Sequence, residues 1–540
     1  MIMKDGAAGD CADPRPHRHG PMEETMTEHP LSTPADTTPS EVDEILAAAA
    51  AAATPVAALP LAVRAGGLLA MAGALRAHSG ELIALAMRET GLGLPRLTGE
   101  LERTAVQLEL FADVVVDGAY LDIRHDEADA GFALGVRPDL RRWRVPVGPV
   151  LNFAASNFPF AFSVAGGDTA SALAAGCPVV VKGHRGHREL SVRTASLVAA
   201  ALVGAGWPAG SFGLVLGTQA GVLALKDPRV RAGAFTGSTG AGTMLAGTAS
   251  ARHIPFFAEM GSVNPVVVTE AALTAAPDWQ AGFVASVSGS AGQLCTKPGV
   301  VFVPASWNRD AAVAALAADV PEHRLLHLSG SSQYADHRAA GLGTPGVTVV
   351  TEGAVRLADD GLAWVTPTVV RTDLAGWLAH RDTLGGEVFG PYSVLVTYDD
   401  LGELPGVLAE NFPGNLTGTV HAAPGETGSA LQDVVAVLAA TSGRVLFGGW
   451  PTGVAVTYAM QHGGPFPATS TDSSTSVGTD AITRFLRPVA YQSFPDDLLP
   501  GLLADPAAAG LPHHEDPAGT SVHWGDKARG DKARGEGGES

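Results

Sequence analysis

The amino-acid sequence predicts an α/β protein with a parallel-sheet domain followed by a second α/β domain. Three features carry this expectation. The chain has 540 residues, too many for one simple core, so two or three domains are expected. Hydrophobic residues make up 46% and charged residues 17%, which suits a globular chain rather than a disordered or fibrous one. Short apolar runs alternate with amphipathic ones, the pattern of strands linked by crossover helices.

The elements follow in order. Residues 1–40 are rich in Pro, Thr, Asp, Glu and His without apolar periodicity, and read as a disordered leader in which Met22 or Met26 is an alternative start. From 41 to 130, "PLAVRAGGLLAMAGALRAHSGELIALAMRETG" repeats apolar residues every three or four positions and stops at glycine, so helices are expected. "VGPVLNFAASNFPF" and "GCPVVVKGH" then read as buried strands ending in loops. "ELSVRTASLVAAALVGAGWP" reads as the helix that follows, and "FGLVLG", "RAGAFTGS" and "NPVVVTE" continue the alternation. Such strands form a parallel sheet covered on both faces. Ligands bind at the carboxyl ends of those strands, so the loops after Phe153, Val181 and Phe235 are the candidate site loops. A second α/β block spans 262–446. Residues 501–540, with the doubled unit of "GDKARGDKARGE", read as a disordered tail.

Composition excludes several functions. The net charge of −20 repels phosphate backbones, so no nucleic-acid role is expected. The three cysteines, Cys11, Cys177 and Cys295, are widely spaced with no CxxC. That argues against a disulfide scaffold or a zinc site and fits a reducing cytoplasm. No metal site is expected, and the terminal histidines read as solvated. No signal peptide and no apolar stretch of about 20 residues is visible, so no membrane span is expected.

Five stretches offer chemistry, and each has a plainer reading beside it. In "AFTGSTGAGTMLAG" a strand ends and Gly237, Ser238 and Gly242 lead into a helix. Such a turn suits a phosphate or simply a tight bend. Lys182 ends the apolar run "VVVK", with Arg185 three residues on. They can face an anionic ligand or plain solvent. Glu259, in "FFAEMGSVNP", is a general base with a raised pKa or a surface carboxylate. Asn157, in "AASNFPFAF", is an oxyanion donor or a turn cap. Cys295, in "GSAGQLCTKPG", is a nucleophile or a small buried hydrophobe. Cys177 fits the buried role well.

Taken together, in order and over roughly 45–500, these stretches resemble the aldehyde dehydrogenase superfamily. "SNFP" is similar to the family's Asn-Phe-Pro loop and "VVVK" to its ribose-binding lysine. "FTGSTGAG" is similar to its cofactor turn, "AEMGSVNP" to its Glu-Leu-Gly-Gly motif and "GQLC" to its Gly-Gln-x-Cys nucleophile. "EVFGP" is similar to its Glu-x-Phe-Gly-Pro. "LFGGWPTGVAVTYAMQHGGPFPATS" narrows the resemblance to the branch of 2-oxoglutarate semialdehyde (2,5-dioxovalerate) dehydrogenases and an NADP-dependent fatty-aldehyde dehydrogenase. The departures are "KGHRGHREL" and Lys297.

The resemblance implies an aldehyde-dehydrogenase-like fold. Its cofactor domain is expected at 41–130 and 149–261, a catalytic domain at 262–446 and a loop returning to the active site at 447–477. Oligomerisation elements, a hairpin in 131–148 and a strand within 478–500, imply a homodimer or homotetramer. It implies Cys295 as nucleophile, Asn157 as oxyanion donor and Glu259 as base. Lys182, Arg185, Gly237, Ser238, Gly242, Glu387 and Phe389 would hold the cofactor. Arg185 stands where NAD-preferring relatives commonly carry glutamate, which implies NADP, with NAD possible. Arg103 and Phe158 are the implied substrate residues, with 2,5-dioxovalerate as substrate and a medium- or long-chain aldehyde as the alternative. A non-catalytic binding protein and a cofactor-free thiol hydrolase are the rivals from other classes.

Overall fold

The computed structural model describes residues 34–529 apart from Pro277 and Thr452. The leader as far as residue 33 and the tail from residue 530 therefore lie outside the described residues, as does Cys11.

The first helix, Pro39–Ala57, begins where Thr38 and Glu41 bond each other's backbone N–H groups in a capping box. Helices Leu61–Ala77, Ser79–Thr90 and Leu94–Asp117 follow. The five-stranded sheet has the spatial order Phe212–Val215, Val179–Lys182, Val150–Phe153, Ala232–Thr236, Phe256–Glu259, and all its pairs are parallel. Alternation along each strand supplies both faces. Val179 and Val181 pack with Leu68, Met71 and Phe111 of the second and fourth helices. Val180 points the other way, into the cluster holding Val42 and Leu46 of the first helix. The strand order reverses direction between Val150–Phe153 and Ala232–Thr236, which opens a crevice at their carboxyl ends.

A seven-stranded sheet follows. Its order is Thr348–Thr351, Thr368–Asp373, Tyr392–Tyr398, Val300–Pro304, Val266–Val268, Asn415–His421, Ser442–Phe447. Only its first pair is antiparallel. A small antiparallel sheet of His323–Arg324, Ala363–Val365 and Val355–Leu357 has no counterpart in the sequence reading, because its strands are two or three residues long.

A four-stranded outer sheet revises two expected boundaries. Strand Leu140–Pro146 pairs antiparallel with Leu486–Gln492 and with Ile123–Asp126. The hairpin thus starts at Ile123, ahead of 131 and inside the stretch assigned to the cofactor domain. The turn between its strands is pinned by the Asp129–Arg137 bridge. The second revision concerns the tail: residues 501–529 are ordered. His513–Asp516 adds a parallel fourth strand beside Ile123–Asp126, and the buried Arg137 guanidinium bonds Asp516. Leu503 and Leu511, buried in the core, and pairing with an open edge order this segment, whose strand residues are polar.

Among the described residues, no single helix is long and apolar enough to cross a membrane. Cys177 is fully buried, its thiol against the Phe485 carbonyl oxygen at 3.5 Å.

Candidate active site

A cavity of about 550 Å³ opens at the carboxyl ends of the five-stranded sheet. It is lined by Asn157, Phe158, Lys182, Arg185, Gly237, Ser238, Glu259, Cys295, Glu387 and Phe389. Two residues expected in the site are not on its wall. Gly242 lies on the inner face of helix Thr239–Ser250, where a Cβ would strike Met260 Sδ at 2.6 Å. Arg103, on helix Leu94–Asp117, is turned to the loop above the cavity and donates to the Val454 carbonyl oxygen at 3.2 Å and to Gln107 Oε1 at 3.3 Å.

Cys295 owes its position to backbone that few sequences allow. Helix Trp279–Ser288 ends at a left-handed turn, with φ of 51° at Ser290, 57° at Ala291 and 64° at Gly292. A Cβ on Gly292 would collide with the Gly390 backbone, so only glycine lets the cysteine loop approach the Glu387–Phe389 loop this closely. The neighbouring Asn264 fixes the other side, its Nδ2 donating to the carbonyl oxygens of Cys295 (2.8 Å) and Lys297 (3.0 Å). Burial and the nearby Glu387 and Glu259 carboxylates push the Cys295 thiol up to about 12, so the resting group is a protonated thiol. The Asn157 amide donates to the Gln293 carbonyl oxygen at 2.9 Å, two residues before the cysteine, and retains a second N–H.

Glu259 ends the strand Phe256–Glu259 and is 3% exposed. Burial raises its pKa to about 7, against the lowering effect of Arg484. Glu387 is likewise raised to about 7 by burial. Its carboxylate lies so close to Gly261 that a Cβ there would overlap it. Lys297 is buried and donates through Nζ to the Tyr392 carbonyl oxygen at 2.6 Å.

The opposite end of the cavity is cationic. Burial, then Arg185 and Arg188, lower the Lys182 ammonium to about 8. Arg185 donates to Ser329 Oγ at 2.9 Å. Among the described residues, neither Lys182 nor Arg185 bonds a carboxylate. Beside them, Ser238 is the N-cap of helix Thr239–Ser250. Two uncompensated cations and a helix N-terminus on one wall fit a polyanionic dinucleotide.

Three groups escaped the sequence reading. His462 places Nε2 3.8 Å from Cys295 Sγ. Burial and the Arg444, Arg103 and Arg484 charges lower its pKa to about 3, so the ring is neutral. Arg484 bonds Glu259 Oε1 at 2.6 Å. Arg444 donates to the Gly453 carbonyl oxygen at 2.9 Å, and its Nε and Nη2 are buried without a partner among the described residues. These pairs are 167 and 225 residues apart for Cys295–His462 and Glu259–Arg484. No local spacing announces them.

The sequence profile of the aldehyde dehydrogenase family matches residues 15–433. The chain belongs to the aldehyde dehydrogenase family. An alpha-ketoglutaric semialdehyde dehydrogenase 2 of Azospirillum brasilense is 44% identical over 467 residues, 85% of this chain and 88% of the relative. An alpha-ketoglutaric semialdehyde dehydrogenase of Acinetobacter baylyi is 41% identical over 432 residues, 79% and 81% of the two chains. Among solved structures, aldehyde dehydrogenase 21 of Physcomitrella patens in complex with succinate superposes with a TM-score of 0.71. It is 20% identical, and the match covers 85% of this chain and 92% of that one. Like other aldehyde dehydrogenases, this enzyme oxidises an aldehyde with a nicotinamide dinucleotide as electron acceptor.

Proposed function

We propose that this aldehyde dehydrogenase oxidises 2-oxoglutarate semialdehyde (2,5-dioxovalerate) to 2-oxoglutarate, with NADP preferred over NAD. The observation that carries the substrate is a pair of guanidiniums, Arg103 and Arg444, held by the adjacent carbonyls of Val454 and Gly453. Among the described residues, neither bonds a carboxylate. The Arg444 charge acts directly on Cys295. A substrate with an aldehyde at one end and a 2-oxo carboxylate at the other brings the missing anion there. The two relatives named for this substrate support the same reading.

The residues divide the work as follows. The neutral His462 ring lies beside the thiol; Glu259 takes the thiol proton and releases it to solvent, and the sulfur attacks the aldehyde carbon. The Asn157 amide and the Cys295 backbone N–H stabilise the oxyanion, an effect worth about 3–4 kcal/mol per donor in comparable sites. A nicotinamide dinucleotide held in this cavity would supply the hydride acceptor that oxidises the Cys295 adduct to a thioester. Glu259 removes a proton from water as its oxygen adds to the thioester carbon. The C–S bond then breaks, the acid leaves and the thiol is restored. Lys182, Ser238 and Arg185 would hold the adenosine side of the cofactor, and Glu387 and Phe389 the nicotinamide side. Phe158 lines the substrate side. At Gly237 a Cβ would strike the Phe235 ring at 2.6 Å, so glycine there lets the turn fold tightly over the strand end. Gly242 serves the same turn from behind, by letting its helix lie close on Met260.

The test is the initial rate of nicotinamide reduction with 2,5-dioxovalerate or hexanal, each with NADP or NAD. Fast NADP-linked turnover of the dioxo acid is expected. Preference for hexanal would overturn the substrate. In Arg103→Ala, kcat/KM should fall about tenfold or more for the dioxo acid and little for hexanal; equal losses on both would remove Arg103 from the proposal. In Arg185→Ala, KM for NADP should rise about tenfold, with that for NAD little changed, because the variant loses a phosphate partner. Where hydrolysis limits the rate, kcat should climb as pH rises through about 7, since only ionised Glu259 accepts a proton. A flat profile between pH 6 and 8 would contradict that role.

A further inference from the structure

Glu259 is not an isolated carboxylate. Its Oε1 accepts from Arg484 Nη2 at 2.6 Å. The same guanidinium donates through Nε to Ser474 Oγ at 3.0 Å and through Nη1 to Asp168 Oδ1 at 3.5 Å. Arg484, Glu259 and Asp168 side chains are 1%, 3% and 7% exposed. They come from three elements: the 3-10 turn Thr479–Phe485, the end of strand Phe256–Glu259 and the first turn of helix Gly167–Ala175. The guanidinium also lies over the Phe257 ring, 5.2 Å from its centroid, so it is held from above as well as at its edges.

The arrangement is uneven. One cation is shared by two buried carboxylates, with a close bond to Glu259 and a long one to Asp168. The second Glu259 oxygen, Oε2, is buried with no partner among the described residues. A buried acceptor left open is costly in a purely structural ion pair. It is what a base needs if one oxygen is to be anchored and the other offered to water.

We propose that Arg484 is a positioning residue that anchors Glu259 by Oε1 and leaves Oε2 as the proton acceptor, with Asp168 drawing off part of the guanidinium charge. This inference rests on the reading of Glu259 as the base of thioester hydrolysis. Asp168 keeps the pair from becoming too tight, since a base locked to a full cation is a weak one. The groups facing Glu259 are Arg484, Asp168, Ser476 and Cys295. Arg484 and Ser476 favour its ionised form, and Asp168 opposes it. The two neighbours therefore pull the base in opposite directions, and removing each should move its titration oppositely.

The test is the pH dependence of hydrolysis of the acyl-enzyme, formed from p-nitrophenyl acetate so that acylation needs no cofactor. Arg484→Met should move the acid limb up by about one pH unit, a rate near pH 7 lower by up to about tenfold. It should also turn slow hydrolysis into an initial burst of p-nitrophenol. Arg484→Lys should restore most of the rate, because a cation remains. Asp168→Asn should move the limb down. Loss of a merely structural contact would lower rates without opposed shifts. Limbs that stay put, or move the same way, in folded variants would overturn the proposal. If Arg484→Met does not fold, Asp168→Asn decides alone, and an unmoved or raised limb rejects the idea. Glu259→Gln separates the two claims. Undiminished hydrolysis in that variant removes the base itself, whereas blocked hydrolysis with unmoved limbs removes only the role of Arg484 and Asp168.

Discussion

Cys295→Ala should abolish nicotinamide reduction with every aldehyde, lowering kcat by more than about a thousandfold, while leaving the fold intact. Among the described residues, no other thiol can replace it. Cys177 is fully buried against the Phe485 carbonyl, and no other cysteine lies between residues 34 and 529. In the proposed reaction a covalent bond to sulfur carries the chemistry, so deleting the sulfur would remove the pathway rather than slow one step. The fold should tolerate the change. Cys295 is part-exposed at the cavity, and its loop is held by backbone bonds from Asn264. The measurement is steady-state turnover with cofactor binding followed in parallel by fluorescence quenching. Inactivity with unchanged cofactor affinity is the expected pair of results. Residual turnover within tenfold of the parent would exclude Cys295 as the nucleophile.

Glu259→Gln should separate the two halves of the reaction. Thioester formation still proceeds, with solvent taking the thiol proton, so one equivalent of reduced nicotinamide per active site should appear ahead of turnover. Turnover should then fall by about a hundredfold to ten-thousandfold, the usual contribution of a general base. Intact-mass measurement after quenching should find the acyl group on Cys295. The variant loses a buried carboxylate but keeps the volume and an acceptor oxygen for Arg484, so its thermal midpoint should change little. Hydrolysis at the parent rate would show that another group activates water.

How much of this could be read from the sequence depends on whether a feature is local. The crossover pattern predicted the parallel sheet because Val150–Phe153, Val179–Lys182 and Ala232–Thr236 are short apolar runs buried on both faces. The Cys295 and Asn157 loops were legible because glycine and proline frame them within a few residues. Strand His513–Asp516 was not, since all four of its residues are polar and its order comes from a partner strand nearly 400 positions earlier. Arg484 and Arg444 sit in stretches with no motif of their own, and His462 lies in a stretch that resembles the family without marking it as a partner of the sulfur; the relation of all three to Cys295 or Glu259 exists only after folding. Arg103 was picked out from its helix, yet nothing local to that helix points to the Val454 carbonyl that holds it or to Arg444, held by the adjacent Gly453 carbonyl.

The near-collision of Gly292 with the Gly390 backbone has a consequence for redesign. It leaves no side-chain space between the segment that carries the sulfur and the segment that carries Glu387 and Phe389, so the two pack backbone to backbone. The side that would meet the aldehyde's far end is built from other parts of the chain: helix Leu94–Asp117 with Arg103, the Phe158–Phe162 turn and the loop of Gly453, Val454 and His462. An engineer seeking a new aldehyde can therefore rebuild that side as a cassette, while the redox half is carried over unaltered.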